Sequence, residues 1–355
     1  MRWVLGEAAR DIGSGTAHVL RSALVLALVV GGCTAADVAS VDALLDRGAA
    51  FRDSGAAVLT IDAPGAVDGD ACDALADVPG VRAAGALRQE PEPLVPAALP
   101  RGPVAHYAVT PGTADLLRVD VTEPTGVLLA AQAAAALGVG PGDPVVLSST
   151  PTTVRGVFAW PDDGRRSGYG YAALVPADRT EPYDTCWVNA WPVPAGLAAL
   201  VRLAVLPGAD EGAGPAITSQ LNTTLGTSFD GARLHADRTT RHAPTVALGA
   251  GVLLGYAGTR TRRLELAAAR HVGVTARAQH VQLLLESLAS VFPAGVLVAA
   301  AAAAQITLGS GADPGALVAV AVSATVPGLL GAVLGCQAAV ALTREAHLFR
   351  YFRLR

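Results

Sequence analysis

The chain contains no lysine: all 26 of its basic residues are arginine. A P-loop needs a lysine to reach the nucleotide phosphates, so this polypeptide holds no ordinary Walker A ATPase. Schiff-base and pyridoxal chemistry on a lysine amine are excluded with it. Charged residues are sparse at 16%, aromatics make up 5%, and there is a single Met. HExxH, CxxC and GxSxG motifs are absent, and the seven histidines are scattered without ligand spacing, so neither a zinc site nor a hydrolase site is expected. The acid pairs Asp162-Asp163 and Glu90 with Glu92 lie in Pro- or Gly-rich stretches and read as solvated loop charges. A net charge of -4, with no basic domain interleaved with aromatics, carries no nucleic-acid signal. No catalytic, cofactor or metal site is expected in this chain.

What is present is apolar. The hydrophobic fraction is 52% and the mean hydropathy +0.42, above soluble averages, so part of the chain belongs in lipid. The first apolar run, from Ser22 to about Val41, is near the length of a span, with Asp37 at its far end. Residues 1–21 before it read as an amphipathic leader, with Trp3, Val4, Leu5, Ile12, Val19 and Leu20 against Arg2, Arg10 and Arg21. A cleaved signal peptide ending near Cys33 is the competing reading, and the long charged leader favours a retained span. Three further runs predict spans at about 243–258, 283–308 and 315–342, the middle one carrying Pro293.

Arginine placement sets the orientation. Arg2, Arg10 and Arg21 precede the first span; Arg260, Arg262, Arg263, Arg270 and Arg277 lie between the second and third; Arg344, Arg350, Arg353 and Arg355 follow the last. All three stretches are expected in the cytoplasm, with both termini. The expected organisation is therefore a leader at 1–21, span 1 at 22–45, an extracytoplasmic α+β domain at 46–242 inserted between spans 1 and 2, and a three-span region at 243–355. The fold class follows as α+β with a four-helix transmembrane region in a plasma membrane.

Within the outer domain, Val58-Leu59-Thr60-Ile61 predicts a strand, residues 71–75 a helix, and Val81 a second strand. A longer helix is expected from Gly126 through Leu137, stopped by the Gly- and Pro-rich turn 138–144, with a strand at Val145-Val146-Leu147. Residues 164–170, with Arg165 and Arg166, read as a mobile loop. Cys72 and Cys186 are the two cysteines of this domain and either pair or stay as buried thiols; sequence alone gives no distance between them.

Two GxxxG patterns, Gly251 with Gly255 and Gly331 with Gly335, fall inside expected spans and mark faces where helix backbones approach closely, within or between protomers. Glu286 opens the third apolar run and is expected at the membrane interface in a structural role. Helical periodicity is expected to run out of the second span through Leu264, Ala267, Ala268 and His271, to break at Gly273, and to restart after Thr275 as N-cap.

The order Arg262-Arg263-x-Glu265, Arg270, Val272-Gly273 and then Gln282 to Glu286 resembles the cytoplasmic connector of FtsX-like permeases, the membrane subunits of MacB-type ABC systems. Thr125 through Leu137, followed by Gly138-Val139-Gly140-Pro141-Gly142-Asp143-Pro144-Val145, is similar to that family's helix and turn. The chain order of leader, span, large domain and three spans fits as well. The resemblance implies a permease that pairs with a second copy or a related permease in the membrane lipid. Arg262, Arg263, Glu265, Arg270 and Gly273 would dock on a separate ABC ATPase that hydrolyses the ATP. Export or extraction of a lipid, lipoprotein or amphiphile is the expected work. A non-transporting transmitter acting on a cell-wall hydrolase or signalling partner, and a scaffold without an ATPase, stay open beside it.

Overall fold

The computed structural model describes Gly6, Arg10, Asp11, Gly13 and residues 18–177, 181–208, 215–309, 313–347 and 351–352. Most of the expected amphipathic leader, and the tail arginines Arg350, Arg353 and Arg355, lie outside the described residues. The chain divides into two units, one made of residues 1–48 with 230–355 and the other of residues 49–229.

The first unit is helical. Among the described residues, three helices are long and apolar enough to cross a membrane: α1 (Val19–Asp53) and the two longest later ones, Ala276–Leu308 and Pro314–Leu342. This is the make-up of a multi-pass membrane protein. In α1 the buried positions Ala23, Leu26, Val30, Thr34, Asp37, Val38 and Val41 recur at three- and four-residue steps, whereas Leu20 and Leu28 are more than 70% exposed. A helix apolar on both its packed and its open face suits a lipid surround rather than water.

In the other unit, β1 (Val58–Val67), α2 (Gly69–Ala74), β2 (Val81–Gln89), β3 (Ala105–Val109), α3 (Gly112–Leu116), β4 (Val127–Ala130), α4 (Ala131–Leu137), β5 (Pro144–Leu147), β6 (Thr150–Phe158), β7 (Ala172–Pro176), β8 (Tyr183–Ala190), α5 (Leu197–Val201) and β9 (Ile217–Gln220) follow in order. The strands form one sheet in the order β5-β6-β4-β7-β3-β2-β8-β1-β9. Pairs β3/β7 and β4/β6 are parallel and the other neighbours antiparallel. Strand β8 lies between β1 and β2, and its alternate residues enter two cores, as the two-residue period of a strand requires. Trp187 joins Leu87, Val109, Leu116 and Phe158 on one face; Cys186 and Val188 join Ile61, Cys72, Leu197 and Val201 on the other. Cys72 on α2 and Cys186 on β8 form a disulfide with their Cα atoms 5.9 Å apart.

Two expectations are corrected in this unit. The helix expected from Gly126 to Leu137 is a strand followed by a helix. Val127, Leu128, Leu129 and Ala130 are all buried as β4, between β6 and β7, and only Ala131–Leu137 is helical. A fully buried strand has no polar face to reveal it, so a short apolar run reads equally as helix. Gly138, at φ +68°, then ends α4 in the left-handed conformation that glycine adopts without strain.

The stretch 164–170, expected to be mobile, is pinned instead. Arg166 binds both oxygens of Asp62, at 2.6 and 2.8 Å, and its carbonyl accepts from the Trp160 indole at 3.2 Å. Tyr169 packs among Trp160, Trp187 and Tyr107, with ring centroids 4.6 to 5.0 Å apart. Burial pushes the phenols of Tyr169 and Tyr107 up from the ordinary tyrosine range.

Candidate functional site at the helical corner

In the first unit α6 (Gly231–Ala236) is followed by α7 (Ala243–Thr261), α8 (Arg263–His271), α9 (Ala276–Leu308) and α10 (Pro314–Leu342), and the connector singled out by its arginines is the corner where α7, α8 and α9 succeed one another. The helix expected to run unbroken to His271 stops at Arg262, which is C-cap of α7 and N-cap of α8. The second break falls where glycine allows it, with Gly273 at φ +100°. Thr275 caps α9, its hydroxyl accepting from the Ala278 N–H at 3.3 Å.

Arg262 turns inward at the first break, with 13% of its side chain exposed. Its Nη2 reaches Asp11 at 3.0 Å, its Nε and Nη2 hold Glu265 at 3.1 and 3.0 Å, and its Nη1 donates to Glu286. Gln282 ties the cluster, donating to Asp11 and to Glu286 at 3.0 Å each. Glu286 is therefore a buried, paired carboxylate one helical turn from Gln282. Buried charge of this kind persists because each group is hydrogen-bonded as well as paired.

Arg270 makes a second clamp. Its Nε donates to Gln279 at 2.6 Å, its Nη2 to the Val340 carbonyl at 2.9 Å, and its Nη1 to the Thr343 carbonyl. Those carbonyls belong to the C-terminal end of α10, where unpaired acceptors and the negative end of the helix dipole favour a cation. Gln279, almost fully buried, returns a bond to the Leu266 carbonyl at 2.7 Å. Leu266, Leu283, Cys336 and Val340 close beneath as an apolar cluster.

Of the five residues expected to face a partner, Arg262 and Arg270 thus point into the corner. Glu265, whose side chain is 59% exposed, and Gly273 remain at its surface, and Arg263 stacks over Tyr351 at 5.4 Å. Val272, which carried no role in the sequence, is 81% exposed at the turn between α8 and α9.

The four glycines of the GxxxG patterns line one helix–helix contact within the protomer. A methyl group added to Gly251 would fall on the Gly328 carbonyl oxygen, and one on Gly255 on that of Ala332. Additions to Gly331 and Gly335 would fall on the carbonyls of Leu248 and Val252. Helices α7 and α10 are therefore in backbone contact along this seam, the close approach that small residues permit. Helix α7 itself is not among the described helices long and apolar enough to span. Its buried positions, Ala243, Ala247, Gly251 and Thr259, carry small side chains that contribute little hydropathy.

Beside the corner, α1, α7, α9 and α10 enclose a cavity of about 370 Å³ whose lining includes Arg21, Leu26, Leu254, Arg262, Glu286 and Ser290. Midway along α1, Asp37 is fully buried and bound by Arg238 at 3.1 Å. Among the described residues no three His, Cys, Asp or Glu side chains gather as a metal site.

No family model matches the sequence, and no curated protein matches it either. Among solved structures, the periplasmic region of MacB from Actinobacillus actinomycetemcomitans is similar at 13% identity and a TM-score of 0.36, covering 48% of this chain and 91% of that one. The extracellular domain of YknZ, a noncanonic ABC-type transporter from Gram-positive bacteria, is similar at 14% identity and a TM-score of 0.30, covering 46% of this chain and all of that one.

Proposed function

We propose that this chain is the permease or transmitter subunit of an ABC transporter complex. A separate ATPase hydrolyses ATP on the cytoplasmic side, and the chain carries its movement to the unit formed by residues 49–229 on the other side of the membrane. The work is export or extraction of a lipid, lipoprotein or amphiphile. Helix α7 serves as the fourth span, both termini lie in the cytoplasm, and a second permease protomer completes the complex in the plasma membrane. The chain itself is neither an enzyme nor the holder of a cofactor.

The observation that supports this reading best is the double clamp of the connector that resembles FtsX-like permeases. Arg262 joins the start of α8 to α9, and Arg270 joins its end to the last carbonyls of α10. A push on the exposed turn at Val272-Gly273 is then delivered to two long helices at once, because charge-assisted hydrogen bonds leave α8 little freedom of its own. The fourth span gains support from the α7–α10 seam: packing and small residues, rather than apolarity, hold helices together in lipid.

Co-purification of the native chain in mild detergent with an ABC-type ATPase from its own cell tests the reading. The expected result is a stable complex that Val272→Asp removes while the unfolding temperature stays unchanged. A native chain that retains no ATPase would overturn the coupling role.

A further inference from the structure

The unit of residues 49–229 contains a cavity of about 390 Å³, within the size range of small-molecule sites. Its polar wall carries three guanidinium groups, Arg52, Arg118 and Arg165, against one carboxylate, Asp53. Arg165 is engaged: it binds Asp163 at 3.1 Å and donates to the Asp53 carbonyl. Arg118 is held loosely, through a 3.2 Å contact with Asp53 in which both side chains are more than half exposed. Arg52 stacks over Trp191 at 5.3 Å and has no ion pair among the described residues. Its Nε is buried with no hydrogen-bond partner. The Nε is thus closed off from the cavity, and the terminal Nη atoms are the donors Arg52 has left for a ligand there.

The remaining wall is apolar. Leu116 and Phe158 are at most 5% exposed, and Trp160 stands edge-on to Phe158 at 6.5 Å. A lining that combines guanidinium groups with aromatic and aliphatic side chains matches a ligand with an anionic head joined directly to an apolar chain. Two guanidinium forks suit a phosphate, whose several oxygens accept from both, better than a single carboxylate.

We infer that this cavity binds the phosphate-bearing head of an amphiphile, Arg52 and Arg118 holding the oxyanion while Leu116, Phe158 and Trp160 meet the first part of its chain. The inference rests on the proposed function only in making such a molecule the cargo; the binding itself does not require an ATPase.

Titration of the whole chain in a neutral maltoside detergent with octyl phosphate, followed by calorimetry and phosphorus NMR line width, tests it. Octyl phosphate is expected to bind, octyl glucoside not to compete, and inorganic phosphate to bind more weakly. Arg52→Gln and Arg118→Gln are each expected to weaken octyl phosphate by at least about tenfold, the equivalent of one hydrogen bond to a charged group. Arg118 is exposed, so its variant reports on the site even where the Arg52 variant fails to fold. Octyl glucoside competing as an equal, or unchanged binding in the Arg118 variant, would overturn the site. Inorganic phosphate binding as tightly as octyl phosphate would overturn the apolar half. Loss of ATPase co-purification with octyl phosphate binding intact would overturn the proposed function and leave this site standing.

Discussion

Arg262 and Glu286 stand 24 residues apart in the chain and meet side chain to side chain, Nη1 donating to Oε2 with 13% and 6% of the two side chains exposed. The contact fixes the start of α8 against α9. Asp11 and Glu265 share the same guanidinium, so the two partners are not equivalent. Arg262→Ala removes the cation that three carboxylates share, two of them largely buried, and is expected to cost on the order of 3 to 5 kcal/mol, the range for breaking a buried pair from one side. Glu286→Ala leaves Arg262 two acceptors and is expected to cost clearly less. Denaturant midpoints in detergent measure both, and equal losses would contradict the shared role of Arg262.

The seam between α7 and α10 makes a prediction with an internal control. Gly255→Ala places a methyl group on the Ala332 carbonyl, whereas Gly258→Ala, one turn on, meets nothing within 4 Å. Overpacking of a closed contact costs about 1 to 3 kcal/mol. Alanine in place of an unencumbered helical glycine gains up to about 1 kcal/mol. Thermal unfolding should therefore fall for Gly255→Ala and hold or rise for Gly258→Ala. A matching fall in both would mean that the glycines serve something other than close packing.

These particulars show what a sequence carries and what it does not. The GxxxG spacing announced two small-residue faces, since i and i+4 share a helix face whatever the partner. It could not say that the faces meet, because facing is a tertiary fact. Asp37 was visible as a charge in an apolar run, but its partner Arg238 lies 201 residues away. The arginines of the connector were legible as a cluster, yet charge alone does not tell an outward docking residue from an inward clamp. Val127 to Ala130 lacked any polar face, and the sheet that decides their conformation is assembled from β6 and β7, which come later in the chain. The unpartnered Nε of Arg52 has no sequence signal at all.

The disulfide between Cys72 and Cys186 closes a separation of 114 residues. In the chain-entropy account a loop of that length stabilises the native state by about 4 to 5 kcal/mol. Replacing both cysteines by serine is expected to lower the stability of the 49–229 unit by a large part of that amount and to leave the helical unit intact. Mass spectrometry after alkylation without reductant should label Cys33 and Cys336 and spare the other two once the chain is unfolded. Four labelled cysteines would remove the bridge.

Tyr169 gives the same unit an alkaline limit. Burial is the main cause of its raised pKa, with the neighbouring Tyr107 second, so the folded chain holds the phenol neutral beyond the point at which it ionises when unfolded. A folded pKa above the unfolded value of about 10 leaves the full contribution to stability in place below that pH. The contribution is lost progressively as the pH rises from there toward the folded value. Denaturant midpoints read by tryptophan fluorescence, with free thiols alkylated, are expected to be flat up to about pH 9 and to fall above pH 10, where the unfolded phenol ionises. Tyr169→Phe keeps the ring against Trp160, Trp187 and Tyr107 and removes the proton. It should flatten most of that fall, leaving the smaller part that Tyr107, itself raised by burial, contributes. An unchanged alkaline slope in Tyr169→Phe would place the limit in some other group and remove Tyr169 as its cause.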